Sequence, residues 1–403
     1  MKILKTAIAL LLLLGGLTVD VASQAPVLTL QQAIERAKEN YPAIKAAQLE
    51  IERQDALKST AIDLGTTSVY TGKEEIGNGA PGINNQIGIN QNEIDILGIV
   101  SKNRLAKSRT QNAVSGLDLT EAIVVRDIRI AWYRAIYAKE QWLLYQQLDS
   151  LYANFQKAAE LRFKTQQTSK IEYLSAATKY QELMIEIKTA ESNYRAALQL
   201  LNQYLLFDGD FEIEIQSAKS DLYSVLAVSD SLNQSPELNY FSSMIDVSMA
   251  EWKAEKAVFL PKFDVGYVKQ AVDGNSGYHG WQVGVSMPLL FFSQSGKTKA
   301  SKINYQIASK QYEQKRVEVN TEYRQLYSRY IIMSDVIDFY NDKALQLADE
   351  QIEASNLAYR LGSIDYVQFI QNIESAIKIK QEYLIKKTEN YELSAQLKYI
   401  TGK

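Results

Sequence analysis

The sequence predicts a mainly α protein with a small β part: long antiparallel coiled-coil helices plus two β-hairpins, laid out as an internal two-fold repeat. Three observations predict it. Residues Lys297–Leu361, 65 in all, contain neither glycine nor proline, a run far longer than an ordinary globular helix. Within it Val319, Tyr323, Leu326, Tyr330, Met333, Ile337, Tyr340, Ala344 and Leu347 recur at alternating spacings of four and three, the seam of helices packed as a coiled coil. Two glycine-bearing stretches, at about 64–98 and 261–290, alternate apolar and polar residues with period 2, as strands do. An unbroken helix over the 65-residue run would be roughly 95–100 Å long. No single-domain core needs that length.

The chain has 403 residues, 46% hydrophobic and 23% charged, with a formal net charge of −3. It is therefore neither disordered nor a basic nucleic-acid binder. Tyrosine is abundant at 25 residues, whereas histidine occurs once and cysteine never. Residues 1–23 read as a signal peptide: Lys2 and Lys5, then the apolar Ala7–Leu17, then Val21-Ala22-Ser23 for cleavage near Ser23/Gln24. The apolar run is shorter than the roughly 20 residues a membrane anchor needs. Without cysteine, neither a disulfide nor an N-terminal lipid anchor is expected. No later run is long and apolar enough for a transmembrane helix, so any membrane insertion must use β-strands.

The first repeat spans 24–206. It opens with Leu28-Thr29-Leu30, where Thr29 suits an N-cap, and a helix from about Gln31 to Ile62, interrupted at Asn40-Tyr41-Pro42. Its hairpin, about 64–98, turns at Gly77–Gly82; Ile87 and Ile89 lie on one phase and Ile94 and Ile96 on the other, which implies a bulge. Leu117–Asp208 again lacks glycine and proline and must reverse once, at Thr165-Gln166-Gln167-Thr168-Ser169. Before the reversal, Leu144, Leu148, Leu151, Phe155 and Ala158 form a second heptad seam. A short equatorial segment, 207–234, follows; Phe211, Ile213 and Ile215 alternate as in a small strand.

The second repeat spans 235–403. Ser235-Pro236 echoes Tyr41-Pro42, 194 residues earlier, and starts a helix to about Phe259. In the second hairpin Phe263, Val265 and Tyr267 alternate with polar or small residues, as do Trp281, Val283, Val285, Met287 and Leu289, around a turn at Asp273–Gly277. The long helix reverses at Leu361-Gly362-Ser363 and returns to about Tyr399. Aligning Leu161-Arg162-Phe163-Lys164 with Tyr359-Arg360-Leu361-Gly362 makes the first reversal about two residues longer than the second, and without its glycine.

The strands are long enough to span an outer membrane, which takes about 9–11 residues. Four strands cannot close a barrel, and open edges are not tolerated in lipid, so membrane hairpins would require several subunits to share one barrel. The other reading of the pattern is a pair of soluble hairpins capping a helical bundle.

Taken together, certain motifs resemble the TolC-type outer-membrane efflux proteins. They are Leu28-Thr29-Leu30-Gln31-Gln32-Ala33-Ile34, Asn40-Tyr41-Pro42, Leu260-Pro261-Lys262-Phe263, Met287-Pro288-Leu289-Leu290-Phe291 and Tyr359-Arg360-Leu361-Gly362-Ser363. The segments Gly280-Trp281-Gln282-Val283-Gly284 and Phe291-Phe292-Ser293-Gln294-Ser295-Gly296-Lys297 resemble the heavy-metal branch of that family. The resemblance implies a homotrimer whose 12-stranded outer-membrane β-barrel is continuous with a long periplasmic α-barrel. It implies as partners a periplasmic adaptor protein, an inner-membrane resistance-nodulation-division pump and outer-membrane lipid. The expected function is a passive exit duct, with heavy-metal ions as cargo. The alternative is a periplasmic coiled-coil adaptor or structural tether.

No catalytic, cofactor or metal site is expected. His279 stands alone in a hairpin turn, so triads and the usual zinc sites are absent. The resemblance marks the two helical reversals as candidate sites: Leu361, Gly362 and Ser363, with Phe163, Lys164 and Thr165, as the periplasmic tips where the adaptor docks. The bland reading of both is an ordinary helix–helix turn. Some relatives carry acidic residues six and nine positions beyond the tip glycine; here these are Gln368 and Gln371, which would narrow the pore without fixed negative charge. Arg360 and Asp365 are expected to form closing ion pairs beside them. Tyr70, Tyr267, Tyr278 and Trp281 are candidates for a membrane interface or for core packing.

Overall fold

The computed structural model describes residues 25–76, 82–216, 231–287 and 292–402. The expected signal peptide, the tip of the first hairpin, most of the equatorial segment and Pro288–Phe291 lie outside the described residues.

Strand β1 (Val27–Leu28) leads into helix α1 (Leu30–Asn40). Thr29 caps it reciprocally: its hydroxyl accepts from Gln32 N–H at 3.2 Å, and the Gln32 side chain accepts from Thr29 N–H at 2.9 Å. Such a capping box satisfies two N–H groups that the first turn cannot. The helix expected to reach Ile62 is broken at Tyr41, whose φ of −68° and ψ of 127° suit a residue before proline. Pro42 then starts α2 (Pro42–Leu57) at the position where its missing N–H costs nothing.

Strands β2 (Thr66–Ile76) and β3 (Gly82–Ile94) precede α3 (Ile99–Lys164), whose 66 residues extend for roughly 100 Å. Next come α4 (Lys170–Leu205) and β4 (Glu212–Ile213), the latter paired parallel with β1. The expected alternation shortens to this pair, yet Phe211 and Ile213 are both buried. The second half holds α5 (Pro236–Ala257), β5 (Lys262–Val272), β6 (Asn275–Ser286), α6 (Phe292–Phe339), α7 (Leu345–Arg360) and α8 (Tyr366–Thr401). Helices α4 and α8 have 36 residues each, and β2 and β5 have 11 each.

One expectation about the long run fails. Tyr340–Ala344, between α6 and α7, forms a π-turn, which adds one residue to a helical turn. The seam holds through Ala344 and then slips by one position. Ala348, Ser355 and Tyr359 are buried beyond it, while Leu347 is 61% exposed. In α3 the seam likewise runs through Tyr152 and Ala159; Leu151 and Ala158 are only partly buried.

Helix α3 packs against α2, α4, α5 and α8. Midway along it, Trp132 and Tyr133 are fully buried, with Tyr133 stacked on Tyr391 at 4.8 Å. This cluster gathers α1, α3, α4, α8 and the β1–β4 pair. A second cluster, around Phe155, Tyr359 and Phe369, sits at the end where the helices reverse.

At the other end stands one antiparallel sheet in the order β2-β3-β5-β6. The predicted bulge is present: β3 shifts register against β5 between Gln91 and Ile94, with Glu93 at φ 59°. Asp264 Oδ1 accepts from Glu93 N–H at 2.7 Å and Lys262 pairs with the Glu93 carboxylate at 2.7 Å, so the bulge is held from β5.

Candidate functional site

Two regions carry features that packing does not explain: the sheet at one end and the helical reversals at the other.

Directly paired residues in an antiparallel sheet share a face. Val69, Ile89, Tyr267 and Trp281 form one cross-sheet row. The adjacent row on that face is Thr67, Gln91, Val265 and Val283, with Ile94, Phe263 and Val285 beyond; on the other side lies Thr71, Ile87, Lys269 and His279. This face is uncovered: Val69 is 71% exposed, and Trp281 and Val283 are each 77% exposed. The opposite face carries Ser68, Asn90, Gly266 and Gln282 in one row, Tyr70, Gly88, Val268 and Gly280 in the next, and Gly72, Gln86, Gln270 and Tyr278 in the third. The Tyr70 ring lies over Gly88, where a Cβ would come within 2.4 Å of it; glycine is required for that close approach. The four aromatics flagged from the sequence thus divide. Tyr267 and Trp281 stand on the apolar face, and Tyr70 and Tyr278 on the polar one. Among the described residues, both outer strands, β2 and β6, lack a partner on one side.

His279 is exposed, and its Nδ1 lies 2.6 Å from Tyr267 Oη. Among the described residues no cluster of His, Asp and Glu could hold a metal ion, and no helix is long and apolar enough to cross a membrane.

At the other end, Thr165–Ser169 joins α3 to α4 and Leu361–Asp365 joins α7 to α8, five residues each. The expected two-residue difference in length is absent, because Gln166 occupies the place of Gly362. Gln166 has φ 60° and Gly362 φ 74°. In the first turn Gln167 N–H donates to Arg162 O at 2.7 Å and Gln166 N–H to Phe163 O at 3.0 Å; in the second, Ser363 N–H donates to Ala358 O at 2.9 Å and Gly362 N–H to Tyr359 O at 3.1 Å. Both are Schellman closures. Each turn ends on a side-chain N-cap, Ser169 accepting from Glu172 N–H and Asp365 from Gln368 N–H.

The predicted tip residues are thereby placed. Phe163 stacks on Tyr173 at 5.7 Å, Lys164 pairs with Glu160 on its own helix, and Thr165 Oγ1 bonds the Leu161 carbonyl. Leu361, Gly362 and Ser363 are exposed. Gln368 and Gln371 are both exposed, three residues apart on α8, opposite the buried Phe369, Ile370 and Ile373. The expected Arg360–Asp365 ion pair does not form: Asp365 caps α8 instead, and Arg360 points to solvent.

A different arginine ties the two turns together. Arg162 Nη2 donates to Tyr359 O at 2.8 Å, and its guanidinium lies 4.6 Å from the centre of the Tyr359 ring. Tyr359 Oη donates to Glu172 Oε1 at 2.8 Å, and the Thr168 hydroxyl donates to the other Glu172 oxygen. Burial, and secondly the hydrogen bond to Glu172, push the Tyr359 phenol above its usual range. Sequence reasoning missed Arg162 and Glu172 because it aligned Arg162 with Arg360, two positions out of register. The N-cap pair Ser169 and Asp365, 196 residues apart, was the signal that could have corrected it.

Residues 227–403 match the family model for outer membrane efflux proteins. By sequence, the chain matches no curated protein. By structure, it is similar to CusC, in crystal structures concerned with transmembrane channel formation, at a TM-score of 0.74 and 13% identity over 92% of this chain and 91% of that one. It is similar to the CmeC outer membrane channel of Campylobacter jejuni at 0.72 and 12% identity, over 93% and 85% of the two chains. It is also similar to the open state of the MtrE outer membrane channel of Neisseria gonorrhoeae at 0.72 and 14% identity, over 93% and 88%. At such identities the likeness establishes the fold.

Proposed function

We propose that this chain is the outer-membrane exit duct of a tripartite efflux system, passively conducting substrate handed over by an inner-membrane pump and a periplasmic adaptor. The two-faced sheet carries the reading. An apolar band of Val, Ile, Phe, Tyr and Trp without cover, bordered on the same face by Lys269 and His279 and backed by a face rich in amides and glycines, suits lipid on one side and water on the other. A soluble tether has no use for it. Bare edges at β2 and β6 are satisfied when three copies join edge to edge, giving 12 strands with no free edge. The helices then run on from the barrel as staves of a periplasmic tube, and the two halves of the chain read as copies of one plan.

The helical reversals lie at the far end of that tube. Leu161, Ile171, Leu361 and Val367 are exposed there, an apolar surface for the adaptor. Gln368 and Gln371 line the constriction as neutral amides. The motifs of the second hairpin support heavy-metal ions as cargo.

Detergent extraction and single-channel recording test the proposal. The expected outcome is a protein that needs detergent, migrates as a trimer and forms channels in planar bilayers. Release from cells as a soluble monomer overturns it. Divalent cations added on the periplasmic side are expected to block weakly; strong, voltage-dependent block would show that the Gln368–Gln371 stripe does not set the constriction.

A further inference from the structure

The ends of the long helices nearest the sheet differ in charge from the rest of the molecule. Residues 99–117 of α3 contain Lys102, Arg104, Lys107 and Arg109 and no carboxylate; residues 292–312 of α6 contain Lys297, Lys299, Lys302 and Lys310 and again none. Some of these cations are neutralised by neighbours: Lys102 pairs with Asp63 and Asp95, and Arg109 with Glu251. Arg104 and Lys107 pair with no carboxylate among the described residues. The same holds for Lys253 on α5, whose ammonium lies against Met249 Sδ at 3.4 Å.

These three cations line one groove of about 460 Å³ between α3 and α5, with Ser108 and Gln111 on the same wall. Asp246 is its one acid, seven residues, or roughly 10 Å of helix, farther from the sheet than Lys253. Both walls become apolar toward the sheet. Val100, one turn before Arg104 on the same face of α3, is 59% exposed, and Leu260, beyond the end of α5, is 40% exposed. Arg104 and Lys107 follow the start of α3 by about 8 and 12 Å, a depth from which their long side chains reach a membrane surface.

We infer that the α3–α5 groove binds the phosphate headgroup of an anionic phospholipid in the periplasmic leaflet, between Arg104, Lys107 and Lys253. Charge complementarity selects the headgroup. The exposed Val100 and Leu260 place the acyl chains on the sheet side, which distinguishes a lipid from a free anion. The inference rests on the reading of the sheet as membrane-embedded.

The full-length protein, purified in detergent, is titrated with phosphatidylglycerol or phosphatidylethanolamine, and retained lipid is counted by native mass spectrometry. Planar-bilayer conductance is recorded separately in phosphatidylethanolamine alone. We expect retention of phosphatidylglycerol over phosphatidylethanolamine. The triple variant Arg104→Gln, Lys107→Gln, Lys253→Gln is expected to lower it on the order of a hundredfold, with conductance unchanged. A control of equal charge loss at exposed positions, Lys188→Gln, Lys343→Gln and Lys378→Gln, is expected to keep the preference. Three results overturn the inference: no preference in the wild type, equal loss in the control, or displacement of the lipid by millimolar inorganic phosphate. Lipid selectivity without channels would count against the duct and leave the groove standing.

Discussion

The two helical turns at the tip have the same backbone built from different residues. Each closes as a Schellman turn, places one residue in the left-handed region and caps the next helix with a short polar side chain. The second uses Gly362 at the left-handed position; the first uses Gln166 at φ 60°. An L-residue there costs about 1–2 kcal/mol that glycine does not. Something must hold the first turn in place, and its neighbours do so. Arg162 and Glu172 converge on Tyr359, just before the opposite turn, and Thr168 donates to Glu172. One turn is shaped by its own backbone, the other by contacts to its partner.

The largest effect should follow removal of that link. Arg162→Ala deletes a charge-assisted hydrogen bond and a cation–π contact and is expected to cost about 2–3 kcal/mol locally. Hydrogen exchange at residues 165–169 should rise far more than at 361–365; an equal rise in both would show that the turns do not differ in how they are held.

Gly362→Ala comes next, at about 1–2 kcal/mol. An added Cβ meets only Arg162 Nη2, at 3.8 Å, so the cost is conformational and not steric. Thermal unfolding of the purified protein would register it, and an unchanged midpoint would contradict the argument. The reverse exchange, Gln166→Gly, should relieve strain by up to about 1 kcal/mol, a smaller gain because glycine also loses more freedom on folding.

The last expected effect is silent at neutral pH. The Tyr359 phenol titrates above its usual value in the folded protein, so its contribution is fully present below about pH 10 and is lost as pH rises beyond that. Ultraviolet titration against Tyr359→Phe should reveal one late-titrating tyrosine at this site. Ionisation of Tyr359 in the ordinary range would show that its donor bond to Glu172 contributes nothing.

The sheet was more legible than the tip. Alternation at Phe263–Tyr267 and Trp281–Val285, and the change of phase between Ile89 and Ile94, are local patterns, and they gave the strands and the bulge, although β6 starts at Asn275, inside the expected turn, and ends at Ser286, before Met287. The face a strand buries is likewise local, since successive side chains point to opposite sides. By contrast, the seam slip at Tyr340–Ala344 marks the sequence only weakly, in the step Ala344-Ala348-Ile352 and in Gln351 at the unslipped position, because Leu347 continues the unslipped spacing for one more residue.

By itself, then, the sequence determined the long helices, the N-cap at Thr29, the proline breaks, both hairpins and the place of each reversal. Every one of these follows from propensities and periods within a few residues. Tertiary structure alone decided that Arg162 and not Arg360 ties the tips, and that Arg104, Lys107 and Lys253 meet in one groove. Arg162 and Tyr359 are 197 residues apart. Contacts at that range depend on register between helices roughly 100 Å long, and a one-residue slip in such a helix turns every side chain by about 100°.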